Sequence, residues 1–341
     1  MSAGAGEGLT VAVTGPTGDI GKSVVRALER APEVERIIGM ARRPFDPAEL
    51  GWERAEYRQG DVLDRGSVEA LVADADVVVH LAFIIFGGLD ETRDNNLQGS
   101  RNVFEAAVAA GARRLVYTSS VVAYGFHRDN PQPLTEDLEP RGSESFYYSA
   151  QKAELEGLLA ELLAGSTTDA YVFRPCIVAG ADATTVIEEI VDFMSLGGTL
   201  APVQRLLQSL PVVAPVLPDP GVPMQLVHHD DVASAVRSAV LGEGPPGIYN
   251  LAADETLTSG DIADALGWHS VPVPSLAVDG ANRLVASAPM MPARVGWMNA
   301  FTVPVVMDTA RARNELAWIA EHGARATLDE TVESARASGV I

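Results

Sequence analysis

Cysteine is almost missing from this chain: Cys176 is the only one among 341 residues. No disulfide can form within the molecule, which suits a reducing compartment. Basic residues are scarce as well. Lys and Arg number 25 against 46 Asp and Glu, a formal charge of −21. Such a surface repels phosphate backbones, so nucleic acid is not expected as a partner. Any anionic ligand must be held by local donors working against the overall field. Neither CxxC nor HExxH occurs, and no metal site is expected. The opening residues MSAGAGEG lack the basic and apolar regions of a signal peptide and read as a disordered lead-in. The most apolar later stretch, 199–218, is interrupted by Gln204, Arg205, Gln208 and several prolines, so it does not read as a membrane span. The expectation is a cytoplasmic protein without a membrane partner.

What the chain does have is apolar content, 47 % of its residues, enough for a large core. From Leu9 onward, short apolar runs alternate with helical patterns. Strands are predicted at Leu9–Gly15, Glu35–Ala41, Ala55–Val62, Asp76–Phe83, Arg113–Ser120 and Ala170–Pro175. Helices are predicted at Lys22–Ala31, Ser67–Ala75, Asn95–Ala110 and from Tyr147 onward. Continuous apolar strands alternating with helices imply an α/β fold with a parallel sheet covered on both faces. The regularity is that of a doubly wound Rossmann fold. This dinucleotide-binding domain is expected over 9–180, with segments around 225–252 returning to it. A smaller C-terminal substrate-binding lobe is expected over most of 181–341. Further helices are expected at Leu257–Gly267, capped by Ser259, at Ala310–Trp318 and at Thr327–Ala337.

The segment TGPTGDIG, Thr14 to Gly21, joins the first strand to the first helix. Gly15 permits a tight turn, Gly18 removes a side chain where backbone must approach a pyrophosphate, and Gly21 lets helix and strand pack closely. The helix N-terminus then offers unpaired N–H groups to phosphates. At the end of the second strand an Asp or Glu would mark an NAD site. Here the residues are Ala41, Arg42 and Arg43. The two guanidiniums either bind a 2′-phosphate or remain solvated loop charges. The missing carboxylate favours NADP over NAD.

About 130 residues downstream, YSAQK places Tyr148 and Lys152 one helical turn apart on one face. A carbonyl that receives a hydride needs a proton. A Tyr hydroxyl supplies it when a neighbouring ammonium stabilises the phenolate. Ser120, at the end of the fifth strand, stands where a hydroxyl would orient the carbonyl.

With these signatures the chain resembles the extended short-chain dehydrogenase/reductase family, also called the NAD-dependent epimerase/dehydratase family. The likeness runs through TGPTGDIG, GDVLD, VVHLAF, DNNLQGSRNVFEAA, VYTSSVVAYG, YSAQK, FRPCIVAG, LVHHDDVA and IYNLAA, nearly the whole chain. The resemblance implies that Ser120, Tyr148 and Lys152 form a catalytic triad. It implies that Thr17, Asp19 and Ile20 belong to the pyrophosphate turn with the glycines, and that Asp61 and Val62 flank the adenine. Leu81, Ala82 and Phe83 would run beside the cofactor, Asn95 would contact it, and Pro175 and Cys176 would lie near the nicotinamide. It also implies a structural role for His228, and a homodimer built on the helices from Asn95 and from Tyr147. Phe104, Val108, Leu158 and Leu162 would lie either on that face or in the core.

Departures from the family pattern narrow the chemistry. Dehydratases of the family carry an Asp-Glu pair after the catalytic hydroxyl. Here Val121 and Val122 stand there and cannot move a proton. Ile177 replaces an Asn, and Met224 and Gln225 occupy a segment where epimerases often place an Arg. Arg205, Arg283 and Arg294 are possible substitutes. The lobe is rich in apolar side chains, from Phe193 to Val213 and from Met290 to Phe301, which suits a lipophilic substrate. The reading that follows is an NADP-dependent oxidoreductase acting on a lipophilic ketone, aldehyde or secondary alcohol. A nucleotide-sugar epimerase and a non-catalytic NADP-sensing regulator are the alternatives.

Overall fold

The computed structural model describes residues 8–85, 92–144, 146–194, 215–274, 303–339 and 341. Chain order begins with β1 (Leu9–Thr14), α1 (Gly21–Glu29), β2 (Val34–Ala41), β3 (Ala55–Gln59), α2 (Arg65–Val72) and β4 (Val77–His80). It continues with α3 (Gly99–Ala109), β5 (Arg114–Thr118), α4 (Tyr147–Leu163), β6 (Asp169–Pro175), β7 (Ile177–Ala179) and α5 (Thr185–Met194). Next come β8 (Val216–Asp219), β9 (Met224–His228), α6 (His229–Leu241), β10 (Gly247–Leu251), β11 (Thr256–Leu257) and α7 (Ser259–Leu266). The last elements are β12 (His269–Pro272), α8 (Ala310–Glu315) and α9 (Ala324–Ala337).

Seven parallel strands form the central sheet in the order β10-β6-β5-β4-β1-β2-β3. Alternate residues of each strand feed two different cores. Val11 and Val13 of β1 pack with Val24, Val25 and Leu28 of α1. Ala12, between them, faces the opposite layer with Val68, Leu71 and Phe104. Burial on both faces is why β1 and β4 read as unbroken apolar runs. From β1 the chain proceeds one way through β2 and β3 and the other way through β4, β5 and β6. That reversal opens a crevice at the carboxyl edge of the sheet. The ends of β1, β4, β5 and β6 therefore deliver Gly15, Ala82, Ser120 and Pro175 to the same edge.

Some expected boundaries move for local reasons. The cap of α7 is Thr258 rather than Ser259: its Oγ1 accepts from the Gly260 N–H, and Asp261 accepts from the Thr258 N–H at 2.7 Å. This reciprocal capping box makes Ser259 the first helical residue. The fifth strand ends at Thr118, and Ser120 instead caps a short 3₁₀ turn over Val121–Tyr124. A π-helical turn, Asp94–Gln98, precedes α3. Phe104 lies wholly within the core, edge-on to His80 and Tyr117, and so presents nothing to a partner subunit.

Beyond the sheet, β11-β9-β7 and β12-β8 form two small sheets. The apolar lobe side chains named above, from Phe193 to Val213 and from Met290 to Phe301, lie outside the described residues and side chains, as do Arg205, Arg283 and Arg294. Among the described residues no helix is long and apolar enough to cross a membrane.

Candidate active site

The glycine turn after β1 is built by three residues with different tasks. Gly15 sits at φ +73°, and a Cβ there would stand 2.9 Å from the Ala82 nitrogen. A Cβ on Gly21 would lie 2.1 Å from the Gly15 carbonyl oxygen. Internal packing alone demands both. Gly18 is different: its added Cβ would meet only the Gly15 oxygen, at 3.6 Å, yet Gly18 lines the cleft at the sheet edge. Its missing side chain serves the cleft and not the fold. Gly21→Ala is therefore expected to destabilise the protein by about 3 kcal/mol. Gly18→Ala should leave the urea unfolding midpoint unchanged while weakening dinucleotide binding. Equal midpoints for the two variants would refute this division of labour.

The cleft encloses about 270 Å³. Gly15, Thr17 and Gly18 form one wall, and Arg42, Arg43, Asp61 and Val62 form another. Ala82, Phe83 and Asn95 close the third side. Ten residues singled out from the sequence thus meet around one space. Arg42 and Arg43 are exposed, and neither has an ion-pair partner among the described residues. The Asp61 carboxylate is turned into its own loop, where it accepts from the Leu63 N–H.

Others of the set lie elsewhere. Asp19 turns its carboxylate to the Thr185 hydroxyl at 2.5 Å, and burial holds its carboxyl above the usual range. Ile20 and Leu81 pack against the core. Pro175 ends β6, and Cys176 is buried beside it with its thiol pushed up by desolvation. Sequence reasoning missed Asn96. Its side chain holds both the N–H and the C=O of Ile84 at 2.8 Å and donates to Gln151 of α4. It thereby ties the third wall of the cleft to the residue before Lys152. Its position next to Asn95 was the available signal.

Tyr148 and Lys152 lie one turn apart on α4, both buried. The Tyr148 side chain is hydrogen-bonded to Ser120. Its ring packs against Phe83 at 5.4 Å and Phe146 at 5.7 Å between centroids. Burial pushes the hydroxyl up to about 12, and the Ser120 hydrogen bond pulls against that rise. Lys152 Nζ donates to the Thr118 carbonyl at 2.8 Å and to the Tyr117 hydroxyl at 3.2 Å. It also sits 3.8 Å from the centre of the Phe83 ring. Desolvation lowers its pKa to about 7, opposed by the negative charge of Glu156. Ser120 and Tyr148 thus form a hydrogen-bonded hydroxyl pair, with the buried Lys152 ammonium one helical turn along α4 from Tyr148.

The glycine turn, this pair and the order of strands agree with a wider likeness. The sequence profile of the NAD dependent epimerase/dehydratase family matches residues 11–252. The chain belongs to this family. A 3 beta-hydroxysteroid dehydrogenase type 7 from Homo sapiens is 36 % identical over 168 residues, 45 % of this chain and 44 % of that protein. Protein y4nG of Sinorhizobium fredii is 26 % identical over 265 residues, 76 % of this chain and 60 % of its own length. The chain thus spans about half the length of these curated relatives. Among solved structures, a short-chain dehydrogenase/reductase superfamily protein from Agrobacterium tumefaciens shares the fold with TM-score 0.72 and 22 % identity, covering 96 % of this chain and 98 % of that one. The UDP-glucose 4-epimerase of Thermotoga maritima does so with TM-score 0.70 and 19 % identity, covering 97 % and 99 %.

Within the family frame, the departures have structural explanations. Val121 and Val122 follow Ser120 as buried apolar residues. Gln225 is buried, accepts from the Met307 N–H at 2.8 Å and donates to the Ala253 carbonyl. It is therefore committed to backbone groups. His228, His229 and Glu330 approach one another closely enough to suggest metal ligands. Their hydrogen bonds argue otherwise. His228 Nδ1 accepts from the Asp230 N–H, so Nε2 carries the proton it offers to Glu330. His229 Nε2 accepts from the Asp182 N–H. Both imidazoles are satisfied as structural links between α6, α1 and α9.

Proposed function

We propose that this protein is an NADP(H)-dependent oxidoreductase that reduces a lipophilic ketone or aldehyde to the alcohol. The observation that carries the reading is the buried Ser120–Tyr148–Lys152 group beside a cleft containing Arg42 and Arg43 and no free carboxylate at the end of β2. The cleft fits a dinucleotide, since Gly18 leaves backbone open to it for no internal reason. Thr17 and the turn would hold the pyrophosphate, and the arginines a 2′-phosphate. A bound nicotinamide supplies the hydride.

The protein's own part is proton transfer and orientation. Ser120 fixes the carbonyl oxygen by a hydrogen bond. Tyr148 donates its proton to that oxygen as negative charge grows there. Lys152 stabilises the phenolate left behind. Val121 and Val122 provide no acid or base for eliminating water. The relative named for a hydroxysteroid supports an apolar alcohol or ketone, as does the apolar sequence of the lobe.

Tyr148, held protonated up to about 12, is set as a proton donor at neutral pH. Reduction is expected to dominate there, whereas alcohol oxidation should rise with pH as the Tyr148 proton becomes removable. Burial lowers the Lys152 pKa to about 7, so its charge is progressively lost as pH rises through that value. Reductive turnover should then fall as pH increases through that value, because the ammonium that supports the phenolate is lost. Initial rates in both directions from pH 5 to 10 test this, and reduction that increases above pH 8 would contradict it.

The deciding experiment supplies the purified protein with NADPH or NADH and a panel of apolar ketones. NADPH consumption with alcohol formation supports the proposal. Tightly retained NAD, with no net cofactor consumption and interconversion of a nucleotide sugar, would overturn it in favour of an epimerase.

A further inference from the structure

Glu156 lies one turn beyond Lys152 on α4, and its carboxylate is buried. Three donors converge on it. Ser119 Oγ donates at 2.5 Å, Arg174 Nε at 3.0 and 3.2 Å to its two oxygens, and Arg174 Nη2 at 2.5 Å. Arg174 is fully buried, with its guanidinium 4.4 Å from the centre of the Tyr124 ring. These contacts link three segments that each deliver part of the site. Helix α4 carries Tyr148 and Lys152, Ser119 precedes Ser120, and Arg174 precedes Pro175 and Cys176. A buried, fork-shaped ion pair has one well-defined geometry, so the three segments are held in register at one point.

We propose that Glu156 is a positioning residue for the reaction: its carboxylate fixes α4 to the ends of β5 and β6 and sets a negative charge one helical turn from the Lys152 ammonium. The groups around Lys152 make this role specific. Tyr148 shares its helix, Tyr117 reaches it from β5, and His80 of β4 stacks on Tyr117. Burial drives His80 to its neutral form, at about 3. Arg174 of β6 lies behind Glu156. Glu156 is the carboxylate within this set of described groups, and its charge opposes the desolvation of Lys152. The proposal goes beyond the reductase reading in its structural half and rests on it for its effect on turnover.

Lys22 and Lys152 are the chain's only lysines. Lysine labelled with ¹³C at Cε therefore gives two signals in the full-length protein, and Lys22→Arg assigns them. Titrating Lys152 with and without NADPH reads its charge without needing a substrate. Glu156→Gln keeps the shape of the side chain and removes its charge. Because it leaves Arg174 buried and unpaired, the double variant Glu156→Gln/Arg174→Met is measured beside it. Glu156→Gln is expected to lower the pKa of Lys152 by about one unit or more and the double variant by less, because the Arg174 cation leaves together with the carboxylate, while Glu156→Asp restores much of the wild-type value. With a ketone that the wild type reduces, the alkaline limb of kcat should move down by the same amount. A purely structural Glu156 would reduce stability and overall rate without moving that limb. An unchanged Lys152 pKa in Glu156→Gln overturns the proposal, even if the wild type is a ketone reductase. A shifted Lys152 in a protein that reduces no ketone supports the role of Glu156 and overturns the reaction proposed above.

Discussion

Tyr148→Phe should abolish measurable reduction, a loss of about 10³-fold or more, while NADPH still binds with nearly wild-type affinity. The substitution removes one oxygen and keeps the ring. The ring is what the surrounding structure holds, through Phe83 and Phe146, so the helix and Lys152 should keep their places. The hydroxyl lost is the group that Ser120 bonds. Ser120 remains to bind the carbonyl oxygen, so substrate can still sit in the site without a donor for its proton. Lys152 cannot replace Tyr148, because its ammonium is already engaged by the Thr118 carbonyl and the Tyr117 hydroxyl. Single-turnover measurements with NADPH, together with fluorescence titration of the cofactor, separate the two effects. Turnover within tenfold of wild type would remove Tyr148 from the mechanism. Loss of cofactor binding together with activity would mean that the hydroxyl is structural.

The parts of this site that could be read from sequence are those dictated by local geometry. Gly15 and Gly21 announce a turn because only glycine survives where a Cβ would meet backbone. Tyr148 and Lys152 share a face because the helix repeat brings residues four apart together. The parallel sheet is legible because buried strands such as β4 have no polar face to show. What escaped depended on contacts distant in sequence. Glu156 looks like an ordinary helix charge until Arg174 and Ser119 are brought to it by two strands of the sheet. Asp19 sits in the glycine turn, yet its carboxylate leaves the turn for Thr185, 166 residues away. Phe104 satisfied a dimer face and a core equally well by periodicity, and only the placement of His80 and Tyr117 decides for the core. Gln225 reads as a missing diphosphate ligand, but its amide is used to hold the backbone of Met307 and Ala253.

Arg42→Ala/Arg43→Ala is expected to weaken NADPH binding by about 100-fold and to leave NADH binding nearly unchanged. Each charge-assisted hydrogen bond to a phosphate contributes about 1.5–3 kcal/mol. Both arginines are exposed, so the lower end applies. Two such contacts make about 3 kcal/mol, or two decades in Kd. The −21 charge of the chain sharpens the argument, because the field of the whole molecule opposes an anionic ligand and leaves its capture to local cations. Added salt should therefore weaken NADPH binding to the wild type more than to the double variant. Asp61 is the carboxylate in this cleft that would repel a 2′-phosphate, but the Leu63 N–H holds it in its own loop. If instead the wild type binds NADH as tightly as NADPH and the double variant changes neither, the arginines are solvated loop charges. The cofactor would then be NAD, and the family's epimerase chemistry would become the better account of a site that already holds the Tyr–Lys pair such chemistry needs.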